Sequence, residues 1–213
     1  MTPAGVILAI DTCLGACSAA VMEGGRVLAA RSEAMERGHQ ERLAGLVAEV
    51  MAEAGVSFDA LERVGVTVGP GSFTGLRVGL AFAKGLGLAL ERPVVGVGTL
   101  EALALSARRT GLVAAVVDAR REQVYLQLFS DGAALAEPEA ITALDAAARL
   151  KASGGPWLLV GTGGALVEPY LDGARLDARA APDPVAVAKL AGEAPLGPAK
   201  PVYLRAPDAK LPA

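Results

Sequence analysis

The sequence predicts a duplicated mixed α/β fold, on three observations. A strand ending in Asp, a tight bend, a second strand, a Gly-containing turn and a third strand follow one another at 6–32 and again at 112–137, so Asp11 and Asp118 hold matching places. Between and after these units, helix-spaced apolar segments alternate with short Val-rich runs, and the repeat of the opening order makes this a duplicated mixed α/β unit rather than one doubly wound sheet. The chain of 213 residues, 53% of them hydrophobic, is long enough to bury a real core, as one large domain or two small ones.

Each element has its own signal. VILAID (6–11), CSAAVM (17–22) and RVLAARS (26–32) read as a three-strand meander, with Gly24 and Gly25 turning the chain between the last two. From Gln40 to Ala54, Leu43, Leu46, Val47, Val50, Met51 and Ala54 recur at helical spacing, and Gly55 stops the helix. VGVTV (64–68) is a strand, and the turn-rich VGPGSFTGLRVG (68–79) leads into a helix from Thr74 to Leu90. PVVGV (93–97) is a short strand and Thr99 to Arg108 a helix. The second unit follows with LVAAVVDAR (112–120), EQVYLQLFS (122–130) and GAALAE (132–137) as strands, a helical segment near 141–150 and the strand WLLVG (157–161).

Three features bear on chemistry. If the two lobes meet at a cleft, Asp11 and Asp118 face each other from strand ends, where paired carboxylates hold Mg²⁺ or water beside a nucleotide; equally, each Asp can accept backbone N–H groups in the turn it begins. The 68–79 loop is no Walker A sequence, since no Lys follows its glycines. Gly69, Pro70 and Gly71 make a close turn there, and Ser72 or Thr74 can cap the helix behind it, although the same N–H groups could receive an anion. Gly75, Gly79, Ala83 and Gly87 leave one stripe of that helix nearly bare, at about 1 kcal/mol per glycine relative to Ala. The stripe fits close packing either within the chain or against a second subunit.

Other chemistries lack a constellation. His39 is the only imidazole and is read as a structural residue at the mouth of its helix, because a catalytic metal usually draws three protein ligands. No G-x-S-x-G elbow or Ser-His-Asp arrangement is evident, and Cys13 and Cys17 read as small, reduced hydrophobes near a hairpin bend. A net charge of -3 gives no broad basic field for gripping nucleic acid alone; Arg108, Arg109, Arg120 and Arg121 are the one local basic group. The start MTPAGVILAID lacks a signal peptide's basic region and cleavage site, and Arg77, Lys84 and the glycines make 74–90 a buried or interface helix rather than a membrane span.

Read together, ILAIDTCLGACSAAV (7–21), GHQERLAGLV (38–47), VGPGSFTGLRVG (68–79), PVVGVGTLEALA (93–104), VVDARREQVYLQLF (116–129) and PVYLR (201–205) resemble the bacterial TsaB family, the dimerization subunit of the tRNA threonylcarbamoyladenosine machinery. The resemblance implies an α/β, duplicated actin-like/Hsp70-like ATPase (ribonuclease H-like) fold with a reduced second lobe, divided here as 1–109 and 110–213. It implies a non-catalytic role in the cytoplasm: pairing with the catalytic threonylcarbamoyltransferase subunit, joined by a P-loop ATPase, with tRNA engaged indirectly and a homodimer when the partner is absent. The catalytic relative carries two metal-binding histidines four apart where this chain has His39 and Leu43, so no metal or catalytic residue is expected. ATP or ADP and metal are expected in the partner subunits, with ADP conceivable at the interface; Asp11, Asp118, Gly161, Gly163 and Gly164 are the weak nucleotide candidates in this chain. The expected dimer surface is Leu43, Leu46, Val47, Val50, Gly75, Leu76, Gly79, Ala83 and Gly87. An autonomous ATPase or kinase, and a glycoprotease-like hydrolase, are the rival readings.

Overall fold

The computed structural model describes residues 5–205; residues 1–4, at the start read above for a leader, and 206–213 lie outside them. The chain runs β1 (Val6–Asp11), β2 (Ala16–Glu23), β3 (Arg26–Ala34), α1 (His39–Ala54), a 3-10 turn (Phe58–Ala60), β4 (Leu61–Thr67), α2 (Phe73–Leu90), β5 (Val94–Val97) and α3 (Thr99–Ser106). It continues β6 (Leu112–Arg120), β7 (Gln123–Ser130), β8 (Ala133–Ala134), β9 (Glu139–Thr142), α4 (Ala143–Ser153), β10 (Leu158–Val160), α5 (Gly164–Val167), a 3-10 turn (Glu168–Tyr170), β11 (Arg175–Asp177) and α6 (Pro184–Glu193).

Two sheets result. The first has the order β3-β2-β1-β4-β5, with β1 antiparallel to β2 and parallel to β4. The second has the order β11-β10-β6-β7-β8, and β9 also pairs with β7. Strand alternation sorts side chains to opposite faces. Val6, Leu8 and Ile10 of β1 pack under Leu43, Leu46 and Val50 of α1 and Leu76 and Leu80 of α2. Ile7 and Ala9 pack with Val187, Ala188 and Ala191 of α6 on the other face. Because both faces are covered, β1 reads as one apolar run.

The middle layer comes from both halves of the sequence. In α3, Leu100, Leu103 and Ala104 pack on Val113, Ala115 and Val117 of β6, while Ala102 joins the α6 side of the first sheet. The α6 helix opens with the Asp183 side chain accepting from Val185 N–H and Pro184 in its first turn, a start signal the sequence reading missed. It lies so close to β4 that a Cβ on Gly65 would sit 2.3 Å from Ala191 Cβ, and Arg63 donates to the Ala191 and Ala194 carbonyls at its end. Thus α3, before residue 109, covers the second sheet, and α6, after residue 110, covers the first.

One strand differs from expectation. Of 132–137 only Ala133–Ala134 pairs with β7, and β9 takes over that edge, because Pro138 between them has no N–H to donate to a ladder. His39 begins α1 without capping it: the N-cap is Gly38, at φ 88°. By length and composition α2 could cross a membrane; one of its faces is buried on the first sheet.

Candidate functional site

The end of β1 and the 68–79 loop form one buried polar cluster. Asp11 Oδ1 accepts the Thr67 hydroxyl at 2.6 Å and Cys13 N–H at 3.1 Å, while Oδ2 is enclosed without a partner among the described residues. Burial pushes the Asp11 carboxyl up to about 6 from 3.8, against the Thr67 hydroxyl, the Cys13 N–H and the charge of His39, which pull it down. Burial likewise pushes the Cys13 thiol up to about 12 and Cys17 to about 11, so both remain protonated and unreactive. Replacing Thr67 with Val removes the hydroxyl donor and should cost about 1–3 kcal/mol in urea unfolding, more at pH 8, where Asp11 is ionised, than at pH 5.

The loop's glycines are filled from within. Ser72 caps α2 by accepting from Gly75 N–H at 3.3 Å, as one of the two expected caps, and its own N–H donates to Cys13 O at 2.7 Å. A Cβ would lie 2.4 Å from Cys13 O at Gly71, 2.0 Å from Thr12 O at Gly75 and 2.5 Å from Thr12 Oγ1 at Gly79. The bare surface of the loop therefore receives the chain's own residues 12 and 13.

The end of β6 repeats the device. Asp118 Oδ1 accepts Arg120 N–H at 2.7 Å, two residues on, as Asp11 does with Cys13. The 161–164 turn folds onto this strand end, with Thr162 Oγ1 accepting Asp118 N–H and Gly163 N–H donating to Val116 O. A Cβ at Gly161 would sit 2.5 Å from Val116 O, at Gly163 2.8 Å from Val117 C, and at Gly164 2.4 Å from Leu176 Cδ1. Each weak nucleotide candidate thus has a local structural partner. Among the described residues no group of three or more His, Cys, Asp or Glu is placed to hold a metal.

The expected dimer residues point inward, which is a correction. Leu43, Leu46, Val47, Val50, Leu76 and Ala83 are all at most 1% exposed, and Gly75, Gly79 and Gly87 are buried on the first sheet and its connections. What α1 and α2 leave outside is the opposite face of the same pair: Phe73, Arg77, Ala81 and Leu88 are exposed and Val78 and Phe82 half-buried. With Gln40 and the edge of Leu43 the first turns of this face line an open groove of about 530 Å³. The signal was in the sequence, as Phe73, Arg77, Ala81 and Leu88 follow helical spacing on the side away from the glycines.

Residues 30–168 match the family model described as TsaD, tRNA N6-adenosine threonylcarbamoyltransferase. The chain is 35% identical to the tRNA threonylcarbamoyladenosine biosynthesis protein TsaB of Escherichia coli K12, over 74% of this chain and 71% of that protein. It superposes on the solved structure of YeaZ from Pseudomonas aeruginosa with a TM-score of 0.82 at 33% identity, covering 93% of this chain and 99% of that one. The chain belongs to the TsaB/YeaZ family. Its fold is the duplicated α/β architecture of the actin/Hsp70-like class. A likeness in fold alone extends to component A of the Acidaminococcus fermentans (R)-2-hydroxyglutaryl-CoA dehydratase, with a TM-score of 0.55 at 11% identity. In this chain the loop and the aspartates serve local packing, and the apolar residues left exposed lie on α2.

Proposed function

We propose that this chain is the non-catalytic dimerization subunit for tRNA N6-threonylcarbamoyladenosine formation, and that it docks on the catalytic threonylcarbamoyltransferase through the outer face of α1 and α2. The observation that carries the reading is the two-sidedness of α2: its small-residue stripe is seated on the chain's own sheet, and Phe73, Ala81 and Leu88 remain exposed beside half-buried Val78 and Phe82. The catalytic family's own model matches this chain across both helices, which supports a partner with an equivalent pair that meets this one about a pseudo-two-fold axis. The same geometry admits a second copy of this chain when the partner is absent.

The finer assignments belong to this proposal. The lobes divide at 109/110, exchanging α3 and α6 across the division; the complex works in the cytoplasm, a P-loop ATPase joins it, and tRNA is bound through the partner. Asp11, Asp118, Gly161, Gly163 and Gly164 serve their own turns, and any ADP sits where the subunits meet. The lone chain transfers no threonylcarbamoyl group.

Ala81→Asp places a charge on the exposed centre of the face. It should leave the circular dichroism spectrum and melting curve of the free chain unchanged and weaken binding to the purified catalytic subunit by at least ~30-fold, since an unpaired charge buried at an interface costs about 2 kcal/mol or more. Sedimentation of each chain with the catalytic subunit, with tRNA modification assayed on the same mixtures, checks both statements. Undiminished binding by a folded A81D chain, or turnover by the lone wild-type chain, would sink the reading.

A further inference from the structure

The segment 199–205, at the far end of the described chain, runs back over the 68–79 loop. Ala199 is buried in the first-sheet core, and Val202 packs against it. Val202 N–H donates to Val68 O at 2.7 Å, and a Cβ on Gly69, at φ 101°, would stand 2.8 Å from Val202 O and 2.7 Å from Leu76 Cδ1, so the strap crosses closely over a position that already favours glycine. Past the crossing, Arg205 donates to Ala119 O at the end of β6. The strap is thereby fixed on both lobes.

Between those anchors Tyr203 faces outward onto α2. Its ring lies 5.8 Å from that of Phe73, tilted by 42°, and its Oη stands 3.5 Å from Arg77 Nε. Arg77 Cζ in turn lies 3.6 Å from the Phe73 ring centroid, which is cation–π geometry. Phe73 and Tyr203 are each about half exposed, at 48% and 49%. Three side chains are therefore held in one arrangement at the mouth of the α1–α2 groove, which Phe73 and Arg77 line.

Among the described residues no carboxylate pairs with Arg77, in contrast to Arg31 and Arg42, whose guanidinium groups are each shared by two glutamates. With one face on Phe73 and Nε turned to Tyr203, its terminal N–H edge is the free one, and that edge fits a carboxylate in two-point fashion. A guanidinium covered on docking without a counter-charge would oppose the complex.

We infer that Phe73, Arg77 and Tyr203 form a preassembled receptor for a carboxylate of the catalytic partner, and that Tyr203 is its positioning residue. This rests on the docking face proposed above and adds the chemistry of the group it receives. It also links the face to the interlobe strap: a seated strap favours docking, and docking by reciprocity holds the strap down.

Isothermal titration of the full-length chain with the purified catalytic subunit, at low and moderate salt, tests it. Arg77→Gln should weaken binding about tenfold at low salt and flatten its salt dependence, the loss expected of one charge-assisted two-point contact. Tyr203→Ala should weaken it about threefold to fivefold, and Tyr203→Phe, which keeps the ring on Phe73, should recover most of that. Exchange of the Val202 amide hydrogen should slow in the complex relative to the free wild-type chain. If A81D weakens binding while R77Q and Y203A bind as wild type, the docking face stands and this inference falls. If none of the three weakens binding, the face itself is elsewhere. A steep salt dependence retained in R77Q, or Y203F falling as far as Y203A, also overturns the receptor.

Discussion

Replacing Gly79 with Leu is expected to unfold the chain rather than only release its partner. A Cβ at Gly79 would already stand 2.5 Å from Thr12 Oγ1 and 3.5 Å from Val66 Cγ2, and the threonine hydroxyl cannot step aside without breaking its buried 2.7 Å bond to Gly75 O. Three further heavy atoms then have to enter the layer between α2 and the first sheet. Overpacking of this kind reaches the upper end of its usual range, about 3 kcal/mol or more, a large share of a domain's total stability. Gly85 on the same helix is the control, since nothing lies within 4 Å of its Cβ position. Gly85→Ala should stabilise by about 0.5–1 kcal/mol through helix propensity alone. Thermal melts followed by circular dichroism compare the two directly. A G79L chain that melts cooperatively at the wild-type temperature would mean the stripe is not seated as described, and the original expectation of an outward-facing stripe would return.

Asp11→Asn should stabilise the chain at pH 8 and do nothing at pH 4. The folded-state pKa of Asp11 is raised to about 6 from 3.8, chiefly by burial, so the native chain holds the proton more tightly than the unfolded one. Stability linked to this group is complete below pH 3.8, falls as pH rises, and is lost above about 6, where the carboxylate is ionised and enclosed. Asn keeps an acceptor for Thr67 and Cys13 without the charge, and its amide nitrogen takes the place of Oδ2, which has no partner among the described residues to lose. The net gain at pH 8 is on the order of 1–3 kcal/mol, with the unpartnered amide offsetting part of it. Urea unfolding of both proteins at the two pH values measures the difference. Destabilisation at pH 8 would show that the ionised carboxylate is held by something that the neutral amide cannot replace.

Much of the molecule follows from local pattern. The meander 6–32 and its echo, the two long helices and the Ser72 cap are legible because alternation, the 3.6 period and capping chemistry act over a few residues. The turn-making use of Asp11 and Asp118 is legible for the same reason, as each bonds an N–H two residues away. The short strand at 139–142 was hidden behind Pro138 and a helical start, and α6 was passed over although Asp183 and Pro184 mark its first turn.

By itself the sequence determined the order of the elements from β1 to β7, the duplication, the family and the existence of a bare stripe on α2. Only the tertiary structure decided what that stripe faces. Periodicity establishes that a helix has a small-residue side and an apolar side; it carries no information about the object opposite, because a β-sheet of the same chain and a helix of another chain accept the same shape. Here Thr12 and Val94 fill the bare positions from within. Phe73, Ala81 and Leu88 are left for solvent or a partner. The return of α6 to the first sheet and the meeting of Tyr203 with Phe73 were beyond local reading for a related reason: each joins residues more than a hundred positions apart, and that pairing is set by which surfaces the two sheets leave uncovered once they have formed.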